Sequence, residues 1–219
     1  MLVESYYRLE ILFNLLLQFT NGTRGAWLAV LVTTPLFLFF YRVHWKKAMV
    51  AIGVGVVLLC STYILLPGAL QRVQSVGDMN DVSQAERVRM WHSAIYMGID
   101  HPVLGVGLGN YAEQYRGNYI SAEAREPNQR HAHNSFLQFF GENGVAGLLA
   151  YCALFGYILV WAWRHRGTKY ADMLFLSTSA LLLYSLTDYT YAGYDAMRIY
   201  WLFVGLCLRG TELEKAHQS

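Results

Sequence analysis

Four apolar runs, Gly25–Tyr41, Ala48–Leu66, Val145–Trp163 and Tyr170–Leu186, decide what this chain can become. Each comes close to the roughly 20 helical residues that cross a hydrocarbon core of about 30 Å. Inside lipid every backbone N–H and C=O must find its partner within the segment, so such runs fold as helices. Two further runs are partial. Ile11–Phe19 follows a charged start, and Ala192–Leu208 is interrupted early by Asp195 and Arg198. The expected fold is therefore an all-α integral membrane protein with five to six transmembrane helices. Only 15% of the 219 residues are charged and 55% are hydrophobic, where about a quarter charged is usual for a water-facing domain. That balance excludes a soluble cytoplasmic enzyme, a disordered regulator and a nucleic-acid binder.

Sidedness follows from basic residues near the helix ends. Arg42–Lys47, Arg164–Lys169 and the tail beyond Arg209 together hold all four lysines, Lys46, Lys47, Lys169 and Lys215. Six alternating helices place these three stretches on one side, the cytoplasm. The organisation expected is N-terminal membrane helices in 1–66, an external loop in 67–134, C-terminal membrane helices in 135–209 and a cytoplasmic tail in 210–219. No basic n-region precedes an apolar core at the N-terminus, and Glu4, Arg8 and Glu10 interrupt it, so no cleavable signal is expected. Cys60, Cys152 and Cys207 all lie in apolar runs and form no disulfide or zinc pattern.

The 68-residue external segment is too long for a simple connector. Its six positive charges are all arginine, and it holds four of the seven histidines. Ser83-Gln84-Ala85-Glu86 fits a capping box, and Val88, Trp91, Ala94, Ile95 and Gly98 follow at helical spacing, so a capped amphipathic helix should end at His101-Pro102. Gly105-Val106-Gly107-Leu108-Gly109-Asn110 reads as a tight bend rather than a dinucleotide fingerprint, because its third glycine is misplaced. Tyr111–Tyr115 should form a short helix, and the polar Ser121–Arg130 a flexible loop suited to a lid.

Three external pieces carry groups that could do chemistry. Arg24, in Asn21-Gly22-Thr23-Arg24, stands at the mouth of a span, where it meets water, a headgroup or a bound anion. Arg87 and Arg89 sit early in the capped helix. Two residues apart, they cannot share one face. A guanidinium grips phosphate oxygens in pairs. The third piece, Arg130-His131-Ala132-His133-Asn134, directly precedes re-entry into the membrane. A histidine there can accept a proton near neutral pH, and either histidine could be the base. His-x-His could also hold a metal, but no third ligand stands at useful spacing, so neither metal nor cofactor is expected. Glu142 lies over two helical turns beyond His133 and is better placed to orient a neighbour than to pair with it. Asp188, at the next external turn, is a further carboxylate or a helix-end cap. Together these groups suit an anionic, lipid-linked substrate whose diphosphate is clamped while an acceptor loses a proton.

Thr23-Arg24-Gly25-Ala26-Trp27-Leu28-Ala29, Glu86-Arg87-Val88-Arg89-Met90-Trp91, His101–Asn110 and His131–Gln138 with Glu142–Gly147 resemble, in order, the elements of the O-antigen ligase and O-antigen polymerase superfamily. The likeness runs from about residue 20 to 209. It implies a membrane glycosyltransferase at the outer face of the inner membrane, moving a glycan from undecaprenyl diphosphate to lipid A–core or another glycan acceptor. It also implies substrate-binding roles for Arg24, Arg87, Arg89, Asn134 and Glu142, the last two in support, and a catalytic role for His133. The Asn134 that follows His133 favours it over His131. Members are usually longer, so the chain corresponds to a C-terminal half, with much of the donor-lipid groove outside it. A polysaccharide polymerase, a truncated non-catalytic fragment and a transporter are the competing readings; a transporter would show mid-membrane charges and paired repeats, and neither is visible here.

Overall fold

The computed structural model describes residues 82–218, which lie in a compact unit spanning Met79–Ser219. The runs Gly25–Tyr41 and Ala48–Leu66, the partial run Ile11–Phe19 and Arg24 lie outside the described residues. Within them the secondary structure is entirely helical: α1 Val82–Asp100, α2 Tyr111–Gln114 continuing as a π-turn over Tyr115–Tyr119, α3 Ser135–Arg164, α4 Lys169–Ser185 and α5 Tyr194–Gln218. A 3-10 turn, Thr190–Ala192, links α4 to α5.

Among the described residues α3 is the one helix both long and apolar enough to cross a membrane. Leu149, Leu154, Tyr157 and Val160 stand outward from it, a surface suited to lipid. Its inward face carries Tyr151, Phe155, Ile158 and Ala162, which pack with Leu174 of α4 and Met197, Val204 and Cys207 of α5. Polar links cross the same bundle. Tyr151 donates to Ser185 Oγ at 3.1 Å, and Thr178 Oγ1 and the Tyr200 hydroxyl lie 2.8 Å apart. Hydrogen bonds of this kind contribute about 0.5–1.5 kcal/mol each. The loop from Arg164 to Lys169 meets the end of α5, where the Lys169 N–H donates to Glu214. The ends of α3 and α5 that carry the basic residues therefore lie together.

α5 runs past its apolar stretch to Gln218, so residues 210–218 are helical turns. An Arg209–Glu212 pair one turn apart supports the extension. α1 begins at Val82, which puts Ser83 inside the helix, and the Glu86 carboxylate accepts from Arg89 and from the Arg125 N–H. Ser93 donates to the Tyr119 carbonyl. The Ser121–Arg130 segment is thus strapped to α1 at Glu86. Met90, Ala94, Met97, Tyr111, Tyr115 and Ala132 form a second buried cluster beneath it.

The least expected feature is a break in α3. Gly144 sits at φ 62°, ψ −160°, so the helix stops and restarts there. Four backbone groups at the break find partners in the segment from Pro102 to Gly107. Val106 N–H donates to Gly141 O and Gly107 N–H to Glu142 O, at 3.0 and 2.8 Å, while Val145 and Ala146 donate back to Pro102 and Val103. The four-bond clamp solves, with a loop, the orphan-group problem of two helix ends. Glu142 completes it by accepting from the Tyr111 N–H at the start of α2.

Candidate active site

His133 and Asp188 meet where α3 begins and α4 ends. Imidazole Nδ1 and carboxylate Oδ1 are 3.0 Å apart. Asn134 creates the junction: its Oδ1 caps α3 by accepting from the Leu137 N–H, and its Nδ2 donates to the Leu186 carbonyl. Ser135 adds a second tie, donating to the Asp188 carbonyl and accepting from the Thr190 N–H. His133 itself adopts φ 50°, a left-handed conformation that costs a residue with a side chain about 1–2 kcal/mol. The surrounding ties hold it there.

Asp188 is gripped from three directions, since Oδ1 also accepts from the Tyr189 N–H and Oδ2 from the Tyr184 hydroxyl, each at 2.8 Å. Burial alone would raise its carboxyl, but the hydrogen bonds from His133, Tyr184 and Tyr189 win and hold it far below the usual carboxylate range. The Asp188 carboxylate favours the tautomer of a neutral His133 whose proton lies on Nδ1, and in that tautomer Nε2 is the acceptor. Both side chains keep roughly a quarter of their surface, His133 27% and Asp188 28%, so the pair is anchored yet reachable.

His131 lies against His133 with ring centroids 4.3 Å apart, and against Tyr189 at 5.7 Å. Burial, then the neighbouring His133, lowers its pKa. Its Nδ1 is buried without a hydrogen-bond partner among the described residues. The pairing with Asp188 therefore distinguishes His133 from His131. The third metal-capable group missing from the sequence pattern is also Asp188: His131, His133 and Asp188 offer ligand atoms within 4.8 Å of one another.

Arg87 reaches the same place. Its guanidinium donates to the Thr187 carbonyl at 2.6 Å, one residue before Asp188. Among the described residues it forms no salt bridge, so its positive charge stands beside the histidine pair without a carboxylate of its own. Arg89 points elsewhere, to Glu86 and Glu123. Asn134 and Glu142 give their hydrogen bonds to the protein's own backbone, at the α3 cap and the clamp. Asp188, Tyr184 and Ser135 carry the geometry, and of these only Asp188 had a signal in the sequence, through its place on the same face. Truncating the cap, Asn134→Ala, is expected to cost about 1–2 kcal/mol, measured as a lower thermal midpoint in detergent; an unchanged midpoint would remove Asn134 from this role.

The histidine that Asp188 fixes and the arginine beside it both fall within a stretch that one family model matches. The O-antigen ligase model matches residues 11–152. The chain belongs to the O-antigen ligase family. No curated protein matches it. Proteins of the O-antigen ligase family are membrane glycosyltransferases of the ligase and polymerase type, with lipid-linked glycans and lipid A–core-type acceptors as their general partners. The O-antigen ligase match includes Arg24, Arg87, His133 and Glu142 and ends before Asp188.

Proposed function

We propose that this chain transfers a glycan from undecaprenyl diphosphate to lipid A–core at the outer face of the inner membrane. The observation that carries the reading is the His133–Asp188 pair with Arg87 beside it. In the proposed step the acceptor hydroxyl gives its proton to His133 Nε2 as its oxygen attacks the anomeric carbon. The bond from that carbon to the diphosphate oxygen breaks, the electron pair leaves with the lipid diphosphate, and the anomeric configuration inverts. Arg24 and Arg87 stabilise the charge that develops on the leaving group. Asn134 and Glu142 act as positioning residues, and Arg89 holds the Glu86 strap. Five to six spans carry the site, with 67–134 external, 135–209 returning through the membrane and 210–219 at the cytoplasmic end. The clustering of Lys169 with the C-terminal half of α5 supports that alternation.

Asp188→Asn tests the dyad. A neutral amide neither holds the Nδ1 tautomer nor offsets the imidazolium that forms, so transfer is expected to fall about 10²- to 10⁴-fold. Glycan linked to lipid A–core, measured at matched membrane abundance, is the readout. Full transfer by Asp188→Asn would sink the dyad. Linkage analysis of the product separates ligation from polymerisation: attachment to the core supports the ligase, and elongation of the lipid-linked glycan alone supports a polymerase.

A further inference from the structure

His131 has no part in the proposed reaction, yet its ring is held against His133. We propose that His131, His133 and Asp188 form an inhibitory binding site for Zn2+. The donor set is two imidazole nitrogens and one carboxylate oxygen, a combination that zinc accepts with a water completing the shell. Their ligand atoms lie within 4.8 Å of one another. His133 Nδ1 and Asp188 Oδ1, 3.0 Å apart, are already near the separation of about 3.4 Å between ligands at ordinary zinc bond lengths. His131 joins them once separations of at most 4.8 Å close to about 3.4 Å. Its buried Nδ1 has no hydrogen bond to give up among the described residues. Outer groups brace the site as second-sphere partners brace known metal centres, because the Tyr184 hydroxyl and the Tyr189 N–H fix the carboxylate. Arg87 and Arg130 lie close enough to act on His131 and oppose added positive charge. Binding in the micromolar range, rather than tighter, is therefore expected.

Zn2+ would take the place of the proton between His133 and Asp188. The displaced proton moves to Nε2, so the imidazole stays neutral while the lone pair needed by the acceptor hydroxyl disappears. Inhibition by this route rests on His133 being the base; binding does not. The test uses Zn2+ itself, titrated calorimetrically into the purified full chain in detergent. One saturable site is expected, with nitrogen ligands at about 2.0 Å by X-ray absorption. His131→Gln and Asp188→Asn should each weaken binding at least about 10-fold, with thermal melts showing that both variants remain folded. Absence of saturable binding, or binding undiminished in both folded variants, overturns the site. Transfer by the wild-type chain should then stop in Zn2+ and return with EDTA. Binding that leaves transfer intact would keep the metal site but overturn both the inhibition and the assignment of His133 as base.

Discussion

Gly144→Ala is expected to destabilise the protein by about 2–5 kcal/mol, a large effect for the addition of one methyl group. Two costs add. Gly144 lies at φ 62°, where a residue bearing Cβ loses about 1–2 kcal/mol. That Cβ would also run into the backbone of Val103 and Leu104, overlap costing about 1–3 kcal/mol that no side-chain rotation can relieve. The bend cannot retreat without losing the four hydrogen bonds that satisfy the broken helix. Gly105 faces the same clamp from the other side, with positive φ and Glu142 backbone in its way. Gly156→Ala is the control, because a Cβ there meets nothing within 4 Å and sits inside a helix. It should be neutral or stabilising by up to about 1 kcal/mol. Thermal midpoints in one detergent decide the matter: equal midpoints for Gly144→Ala and Gly156→Ala would show that the break does not need glycine.

His133→Asn should separate activity from stability more sharply than any other change at the site. Asparagine tolerates the left-handed conformation and can still reach Asp188 with an amide N–H, so the junction survives. Without a basic imidazole, transfer is expected to fall about 10²- to 10⁴-fold, the usual contribution of a general base. His133→Gly extends the argument. It relieves the φ 50° strain, which should raise stability by about 1 kcal/mol unless losing the bond to Asp188 offsets the gain. Melting midpoints and transfer measured on the same preparations should therefore move independently. If transfer falls only in step with the melting midpoint, His133 is structural.

Much of this arrangement was legible in the residues, and the omissions have physical reasons. The apolar runs located α4 and the part of α3 beyond Gly144 to within a residue or two, but not the ten residues from Ser135 to Gly144, where polar and glycine residues interrupt the hydropathy. The stripe ending at His101-Pro102 marked α1. Arg87 and Arg89 part to different partners, as their two-residue spacing requires. The break at Gly144 was hidden because apolar residues continue on both sides of it; the cue was glycine in the Glu142-Asn143-Gly144 stretch, a helix C-terminus signal inside a hydrophobic run. α5 outlasts its apolar segment, where the Arg209–Glu212 pair and the Lys169 N–H bond to Glu214 give it polar ties that hydropathy does not register. Asp188 stands 55 residues from His133. Sequence spacing cannot show such a contact, and only the antiparallel course of α3 and α4 creates it.

The measurement that bears most directly on the account is glycan transfer in cells lacking their own O-antigen ligase. The wild-type chain, His133→Asn and Asp188→Asn would be expressed at matched membrane abundance, and lipid A–core examined for attached glycan by mass spectrometry. The account predicts glycan-bearing core with the wild-type chain and its loss in both variants. Core left bare by a folded, membrane-inserted wild-type chain, or glycan undiminished in His133→Asn, would contradict it.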